Sequence, residues 1–552
     1  VATPKALRVG LITDGGFASN YVADLVDWIS RQSEVELTAE IVQKVWFLEN
    51  GQILKKVLFS IRRRGALRTF RRLIFRLTSL IDQVLTKKIS PKDWAFLTNQ
   101  VEVNAKRRIE VCPKFSPSGF VFEYLDDDLK RIKELDCNVL IRCGSGILKG
   151  GILEVTEFGV ISLHHGDNTK FRGGPPGFWE VLFRESQTGF IVQKLTDTLD
   201  GGVVVARGSV GTKPLFTWNC SYVIQQSSFA ICKVLSQIAK NRELPSPLHQ
   251  DELGPIYKLP STFNSFRYIS STSLLLFRKV LQRLMNSSPT WRVFIFESNW
   301  MEIDKTRGTE IPNPKGCFSA DPFLISSEIG EFLFVEEFSY AQKKAHIAVY
   351  DVSTSTPKRL GVALNENFHV SFPYVFKYKN DFYMCPETIA SRQVRLYKAI
   401  NFPLDWELHS ILLDDVCAAD PLILFNDGKF WLLANVDPKC SGDSHSMLSI
   451  FYSDNLQSNL WLQSESNPVL FDASCARNGG LVCTNEFKVR FGQVQGFNLY
   501  GERLRAFKIV KINEVEYEEV EVPLPKPSIG STYLGMHHLS SIGGKTVIDI
   551  FK

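Results

Sequence analysis

The first 240 residues alternate two apolar rhythms. Residues 7–13 (LRVGLIT) form a short β-branched run ending in Asp14-Gly15-Gly16, and Tyr21, Val22, Leu25, Val26 and Ile29 then recur at helical spacing. Residues 138–143 (NVLIRC) and 160–163 (VISL) are further apolar runs bounded by glycine, as strands buried on both faces tend to be. Strand, glycine turn, helix and strand in succession predict a doubly wound α/β domain over residues 1–242. The turn at Asp14 lacks the GxGxxG spacing, so no dinucleotide site is expected there.

From about residue 291 the helical rhythm disappears and short strands take over. A two-strand unit recurs: DPFLI before GEFLFV, FPYVF before NDFYM, DPLIL before GKFWLL, a weaker NGGLV, and finally MHHL before TVIDI. These units start at 321, 372, 420, 478 and 536, and third strands follow at 347–351, 394–398, 448–453 and 504–510. A repeat of about 50 residues with three or four strands is the pattern of a β-propeller, here with five blades over residues 291–552. The unclaimed strand WRVFIFE at 291–297 would complete the last blade and hide the sheet edges. An irregular β-sandwich is the competing reading. Residues 243–290 read as a Pro-rich linker followed by a bridging helix through Leu274, Leu275, Leu276, Val280, Leu281 and Leu284.

Length and composition fit this division. The chain has 552 residues, too many for one ordinary domain. Its 44% hydrophobic and 22% charged residues exclude wholesale disorder. A net charge of +5 does not call for nucleic acid. Eleven scattered cysteines show neither CxxC nor zinc spacing, so reduced thiols and no metal are expected. No apolar run approaches the ~20 residues of a spanning helix and no leader pattern opens the chain. The expectation is a soluble cytoplasmic protein.

The chemistry gathers between 162 and 200. Ser162-Leu163-His164-His165 ends a strand, a Gly/Pro-rich loop carrying Asp167, Asn168 and Arg172 follows, and Leu199-Asp200-Gly201-Gly202 forms a tight turn before another strand. Ligands of open α/β sheets sit at such strand ends. A carboxylate beside a histidine can orient the ring for acid/base work. His165 reads equally as structural or functional. Arg172 either anchors the loop or binds an acceptor phosphate.

These segments resemble the catalytic domain of the folate-dependent formyltransferases. The likeness covers residues 7–240 and rests on Ser162-Leu163-His164, Lys170-Phe171-Arg172-Gly173 and Leu199-Asp200-Gly201-Gly202. It implies 10-formyltetrahydrofolate as cofactor. It also implies His164 as the stabiliser of a tetrahedral oxyanion, Asp200 as its tuning carboxylate, and a pterin pocket lined by Arg142, Cys143, Gly144, Gly146, Leu199 and Gly201. Ser162 stands where the family carries a catalytic asparagine, with Asn168 or Ser145 as candidate substitutes. His165, Asp167, Asn168 and Arg172 would contact the acceptor.

The propeller invites a second comparison. Asp321 and Asp420 lie at the starts of inner strands, and resemble the inward carboxylates of five-bladed glycosidases, where hydrolysis needs two acids in opposed roles. His369, Glu387, Arg477, Gln493 and His538 complete the candidate pocket, which reads as glycan- or partner-binding. Residues 55–88 carry eleven Lys/Arg against one Asp, with Leu67, Phe70, Leu73, Ile74, Leu77, Leu80, Ile81 and Val84 at helical spacing. Such a helix could rest on an anionic membrane, or dock on its own domain with its basic face in water. The function expected from the whole is formyl transfer to an amine, foremost of a nucleotide- or lipid-linked amino sugar, with the propeller holding a glycan or acceptor. A hydrolase or other acyl-transfer enzyme on the same fold, a propeller glycosidase, and a glycan-binding scaffold are the alternatives. Oligomeric state stays open.

Overall fold

The computed structural model describes residues 5–15, 18–19, 21–44, 66–116, 120–249, 252–284, 290–484 and 486–552. It consists of two compact units, Val1–Val280 and Leu281–Lys552.

The first unit is a mixed α/β layer structure. Its sheet contains β1 (Leu7–Thr13), β2 (Val35–Gln43), β3 (Arg107–Val111), β4 (Val139–Arg142), β5 (Val160–His164), β6 (Gln187–Lys194) and β7 (Val203–Gly211), in the order 7-6-5-4-1-2-3. Strands 5, 4, 1, 2 and 3 run parallel, while β6 and β7 form an antiparallel hairpin added at the β5 edge. The chain winds outward from β1 to β3 and returns to β4 on the other side of β1. That reversal is the switch point at which open α/β sheets hold ligands. The apolar runs are buried as their composition predicts: Leu7, Val9, Leu11, Val139, Leu140, Val160 and Ile161 are fully enclosed. Ile12, Ala39, Ile41 and Leu140 meet Phe122, Ile132 and Ile152 in one core.

The helices are α1 (Tyr21–Ser30), α2 (Ala66–Ile89), α3 (Pro91–Thr98), α4 (Asp126–Lys133), α5 (Phe178–Phe183), α6 (Phe216–Asn241) and α7 (Thr262–Leu284). The long α6 packs on β6 and β7 and against α1, α2 and α3. Of the basic stretch expected at 55–88, residues 55–65 lie outside the described residues. The rest forms α2, which docks on its own domain with Arg71, Arg76, Lys87 and Lys88 exposed, but not through the apolar stripe. Phe75, Thr78, Asp82 and Thr86 face inward, while most of the expected apolar stripe faces out. Asp82 explains the choice of face. Its carboxylate accepts the backbone N–H of Phe216 (3.2 Å) and Thr217 (2.6 Å) at the start of α6, and the Tyr268 hydroxyl of α7. One buried acid thereby caps α6 and ties three helices together.

Among the described residues the second unit is built from five antiparallel sheets, four of four strands and one of five. The first is β10 (Cys317–Ser327), β11 (Gly330–Ser339), β12 (Lys344–Asp351) and β13 (Lys358–Leu364). Then come β14 (Ser371–Tyr378), β15 (Asp381–Glu387), β16 (Val394–Asn401) and β17 (Asp405–Leu413). The third sheet follows with β18 (Ala418–Asn426), β19 (Lys429–Val436), β20 (Met447–Ser453) and the short β21 (Leu462–Gln463), with a further short strand on β20. The fourth is β22 (Asn478–Cys483), β23 (Lys488–Gly496), β24 (Leu499–Ile512) and β25 (Tyr517–Val522). The last sheet is composite. The late strands β26 (Leu539–Ile542) and β27 (Lys545–Phe551) join the early strands β8 (Trp291–Phe296) and β9 (Thr309–Ile311), with Trp291 opposite Phe551. The first strand of each sheet packs against that of the next, and β26 returns to β10.

Two further differences from the sequence reading concern side chains. The expectation of wholly reduced thiols is corrected: Cys417 and Cys440 form a disulfide with Cα atoms 5.6 Å apart, and the other nine cysteines form none. Their 23-residue separation carries no metal or redox motif, so the pairing was invisible in the chain. The Asp-Pro dipeptides at Asp321 and Asp420 do not start their strands. They are bulges inside them, as described next.

Candidate functional site

The inner strands share one irregularity. Strand register breaks between Ala320 and Phe323, Ser371 and Tyr374, Ala419 and Leu422, and Asn478 and Leu481. In the first three copies the first bulged residue has positive φ: Asp321 (47°), Phe372 (48°) and Asp420 (48°). Non-glycine residues hold this region only where their surroundings fix them, and bulges re-aim side chains. Here the bulge carries Asp321 and Asp420 into a buried polar cluster.

Its centre is Arg477. The guanidinium donates from Nε to Asp420 Oδ2 at 2.6 Å and from Nη1 to Ser444 Oγ at 2.7 Å. It also lies 3.1 Å from His445 Nδ1 and 3.6 Å from Glu387. Its carbon rests 5.1 Å from the Tyr500 ring centroid. Gln493 Nε2 donates to Asp420 at 3.2 Å and to the Asn478 carbonyl at 2.6 Å. Burial pushes the Asp420 carboxyl up to about 7 against the lowering influence of Arg477.

Asp321 anchors a second group. Its backbone N–H donates to Asp549, and its carboxylate accepts the Phe372 N–H at 3.2 Å and stands 3.5 Å from His537 Nε2. His537 Nδ1 lies 2.6 Å from Asp549. Burial disfavours charge on His537, but Asp549 and Asp321 outweigh it and the ring's pKa is raised. Burial raises Asp321 to about 6. Asp321, His537 and Asp549 each offer one donor atom within 4.8 Å of the others, so this trio has the donors for a metal ion. The oxygens of Asp549 already accept the N–H groups of Asp321, His537 and His538.

The structure thus gathers Glu387, Asp420, Arg477 and Gln493, with Asp321 beside them. One pocket expectation is corrected. His538 is fully buried between the rings of Phe323 (4.3 Å) and Phe372 (5.2 Å), and burial drives its pKa to about 3. It is a core residue, and its neighbour His537 is the polar one. His369 spends Nδ1 on the Ala345 N–H and lies 3.6 Å from Glu336. Sequence reasoning missed Glu336, Tyr500, His537 and Asp549. Only the MHHL and VIDI strings hinted at the last two.

In the α/β unit, His164 ends β5 and its Nδ1 comes within 3.4 Å of Asp200 Oδ1. Asp200 sits at φ 49° and accepts the Gly173 N–H at 2.8 Å. His164 Nε2 faces the Phe171 carbonyl at 3.2 Å. Both ring nitrogens therefore face protein oxygens, which holds the ring.

The remaining expected residues here are largely structural. Ser162 is buried and donates to the Leu163 carbonyl. Asn168 is fully buried and spans the Asp200 carbonyl and Arg207, so it is a clamp and not an acceptor contact. Asp167 accepts from Thr169 and Arg207, the latter missed in the sequence. Arg172 donates to the Leu199 and Gly254 carbonyls, which selects loop anchoring over phosphate binding. Arg142 donates to the Gly146 carbonyl at 3.0 Å, and a side chain at Gly146 or Gly144 would strike Phe122 or Gln43. Burial drives the Cys143 thiol up to about 12. Gly201 packs on Thr198 and Leu253. Burial also drives His165 to a pKa of about 3, and its buried Nε2 has no hydrogen-bond partner among the described residues.

Comparison with known proteins places this geometry. Residues 306–532 match the family model described as glucosamine inositolphosphorylceramide transferase 1, N-terminal. The chain is 35% identical over 211 residues to the protein of that name from Oryza sativa subsp. japonica, covering 38% of this chain and 28% of the relative. It is 36% identical over 211 residues to the Arabidopsis thaliana protein, covering 37% and 27%. It is also 30% identical over 124 residues to methionyl-tRNA formyltransferase from Malacoplasma penetrans, covering 22% and 38%. The chain thus spans less than a third of the length of the plant relatives. Among solved structures, a family 117 glycoside hydrolase from Zobellia galactanivorans aligns at 12% identity and TM-score 0.33, covering 48% of this chain and 90% of that one. A phosphoribosylglycinamide formyltransferase from Anaplasma phagocytophilum aligns at 15% and 0.28, covering 46% and 100%.

The expectation of folate-dependent formyl transfer is overturned. The higher-identity relatives carry the name of a sugar transferase, and the formyltransferase likeness is shorter and partial. Ser162 and Asn168, two of the side chains expected to serve the oxyanion, are both buried and committed to protein partners.

Proposed function

We propose that this chain serves sugar transfer onto a glycolipid, and that its β-rich unit is a closed five-bladed propeller that holds the polar headgroup. The observation that carries this reading is the Arg477 cluster, which lies inside the segment matching the transferase family. A recessed cation flanked by Asp420 and Glu387 offers a charged donor and acceptors to sugar hydroxyls or a phosphate. Tyr500 is 37% exposed beside it and offers a ring face to the apolar side of a sugar. The relatives' name supplies the acceptor class, an inositol-phosphate-linked sugar lipid.

The test is calorimetric titration of the full chain with a soluble glucosaminyl-inositol phosphate headgroup. Binding with Kd of about 0.1–1 mM is expected, weakened at least tenfold in Tyr500→Ala. Equal binding by Tyr500→Ala, or no heat at about 10 mM, would overturn the reading.

A further inference from the structure

The α/β unit presents two helices the wrong way round for an ordinary globular surface. On α2, Phe70, Leu73, Leu77, Leu80, Ile81 and Val84 are 50–58% exposed. At 100° per residue they lie opposite the docked positions Phe75, Thr78, Asp82 and Thr86. On α7, Ser265, Tyr268 and Thr272 face inward while Phe263, Phe266, Leu274, Phe277 and Val280 are exposed. Apart from Phe75, both helices are therefore held mainly by polar residues, and they turn most of their large apolar residues outward. The Tyr268–Asp82 hydrogen bond brings them together. An apolar surface of this extent marks an interaction site.

Charge says what covers it. The α2 segment carries six Arg/Lys against Asp82, and α7 carries four and no acid. Asp82 is buried, so the outward charge of both helices is positive. Arg71, Arg76, Lys87, Lys88, Arg278 and Lys279 are exposed. A second copy of the chain would bring two basic surfaces face to face. An anionic bilayer accepts apolar and basic groups together: aromatic and aliphatic side chains enter the headgroup region while Lys and Arg meet lipid phosphates. Among the described residues no helix is long and apolar enough to cross a membrane.

We propose that the outward faces of α2 and α7 dock the protein on an anionic lipid surface, lying in the headgroup layer without crossing it. The inference is independent of the Arg477 cluster. Sedimentation of the full chain with neutral vesicles, and with vesicles containing about one-third anionic lipid, tests it. Binding is expected to the anionic vesicles, with loss at high salt. The neutralising variant Arg76→Gln/Lys87→Gln/Lys88→Gln and the apolar variant Leu77→Gln/Leu80→Gln should each bind at least about tenfold more weakly, with unchanged circular dichroism. Wild-type protein left in the supernatant at low salt would overturn the proposal. So would undiminished binding by both variants, or a wild-type dimer that Leu77→Gln/Leu80→Gln dissolves without any vesicle binding.

Discussion

Arg477 donates its Nε–H to Asp420 across 2.6 Å although the two residues belong to different sheets, Asp420 at the bulge of β18 and Arg477 just before β22. The pair stitches neighbouring sheets together, and Gln493 of β23 joins it through the same carboxylate. Breaking it from one side strands a buried cation. Asp420→Ala should cost about 3–5 kcal/mol in chemical denaturation of the full chain. The double variant Asp420→Leu/Arg477→Met should lose less than the two single losses added. A loss below about 1 kcal/mol in Asp420→Ala would show that the pair does not stabilise the unit.

Glu180 of α5 supplies a pH dependence. Its carboxyl is raised to about 7, first by burial and then by Glu185 and Asp167. A raised folded value means that its contribution to stability is full below its unfolded value near 4.5 and is lost as pH rises through about 7. Glu180→Gln should therefore gain on wild type between pH 5 and 8, by of order 1–3 kcal/mol. Paired thermal melts at those pH values measure it, and a gap that stays constant would refute the assignment.

Asp200 joins two jobs, holding His164 and accepting the Gly173 N–H from a left-handed backbone position. Asparagine tolerates that backbone and keeps an acceptor oxygen. Asp200→Asn should stay within about 0.5 kcal/mol of wild type, whereas Asp200→Ala should lose about 1–3 kcal/mol by orphaning the amide. Urea unfolding of both variants checks the order, and equal losses would contradict it.

Gly480 shows how tightly neighbouring inner strands approach. Its φ is 122°, and a Cβ there would lie 2.0 Å from the Leu539 carbonyl oxygen of β26. Gly480→Ala should lose more than about 3 kcal/mol, from strain and from backbone displacement together. A fully stable, soluble variant in a thermal melt would mean that β22 and β26 can separate freely.

Alkylation before and after reduction, read by mass spectrometry of the unfolded chain, should label nine and then eleven cysteines, with Cys417 and Cys440 making the difference. Eleven labels without reductant would exclude the bridge.

Much of the β-rich unit was legible because the first four copies each pair a Pro- or Gly-marked bulge with a second strand carrying an aromatic residue, as in Asp420-Pro421 and Phe430-Trp431. The strand order could be read from that repetition. The polar cluster was only half legible, because it depends on which of two adjacent residues turns inward. A one-residue offset exchanged His538 for His537, and in a strand such an offset changes the face. The α/β strands were visible in their glycine-bounded runs. The docked face of α2 was not, because apolar periodicity defines a stripe without saying what it meets. Asp82, a lone acid in a basic stretch, held the deciding bonds. Ser162 and Asn168 looked chemical in the chain because polar residues at a strand end suggest a site. Their hydrogen bonds are spent on local backbone and on Arg207.

The pairing of Trp291 with Phe551 sets a timetable for folding. The opening strand of the β-rich unit pairs on one side with nearby β9 but on the other with β27, so during synthesis that second edge must wait for some 250 residues to emerge. Asp549 rides on that same late strand, and the acid that positions His537 arrives with it. The polar cluster is therefore completed by the final seam. A ribosome-bound chain short of that seam would expose both the edge of β8 and an unfinished cluster, and those are the features a chaperone would meet first.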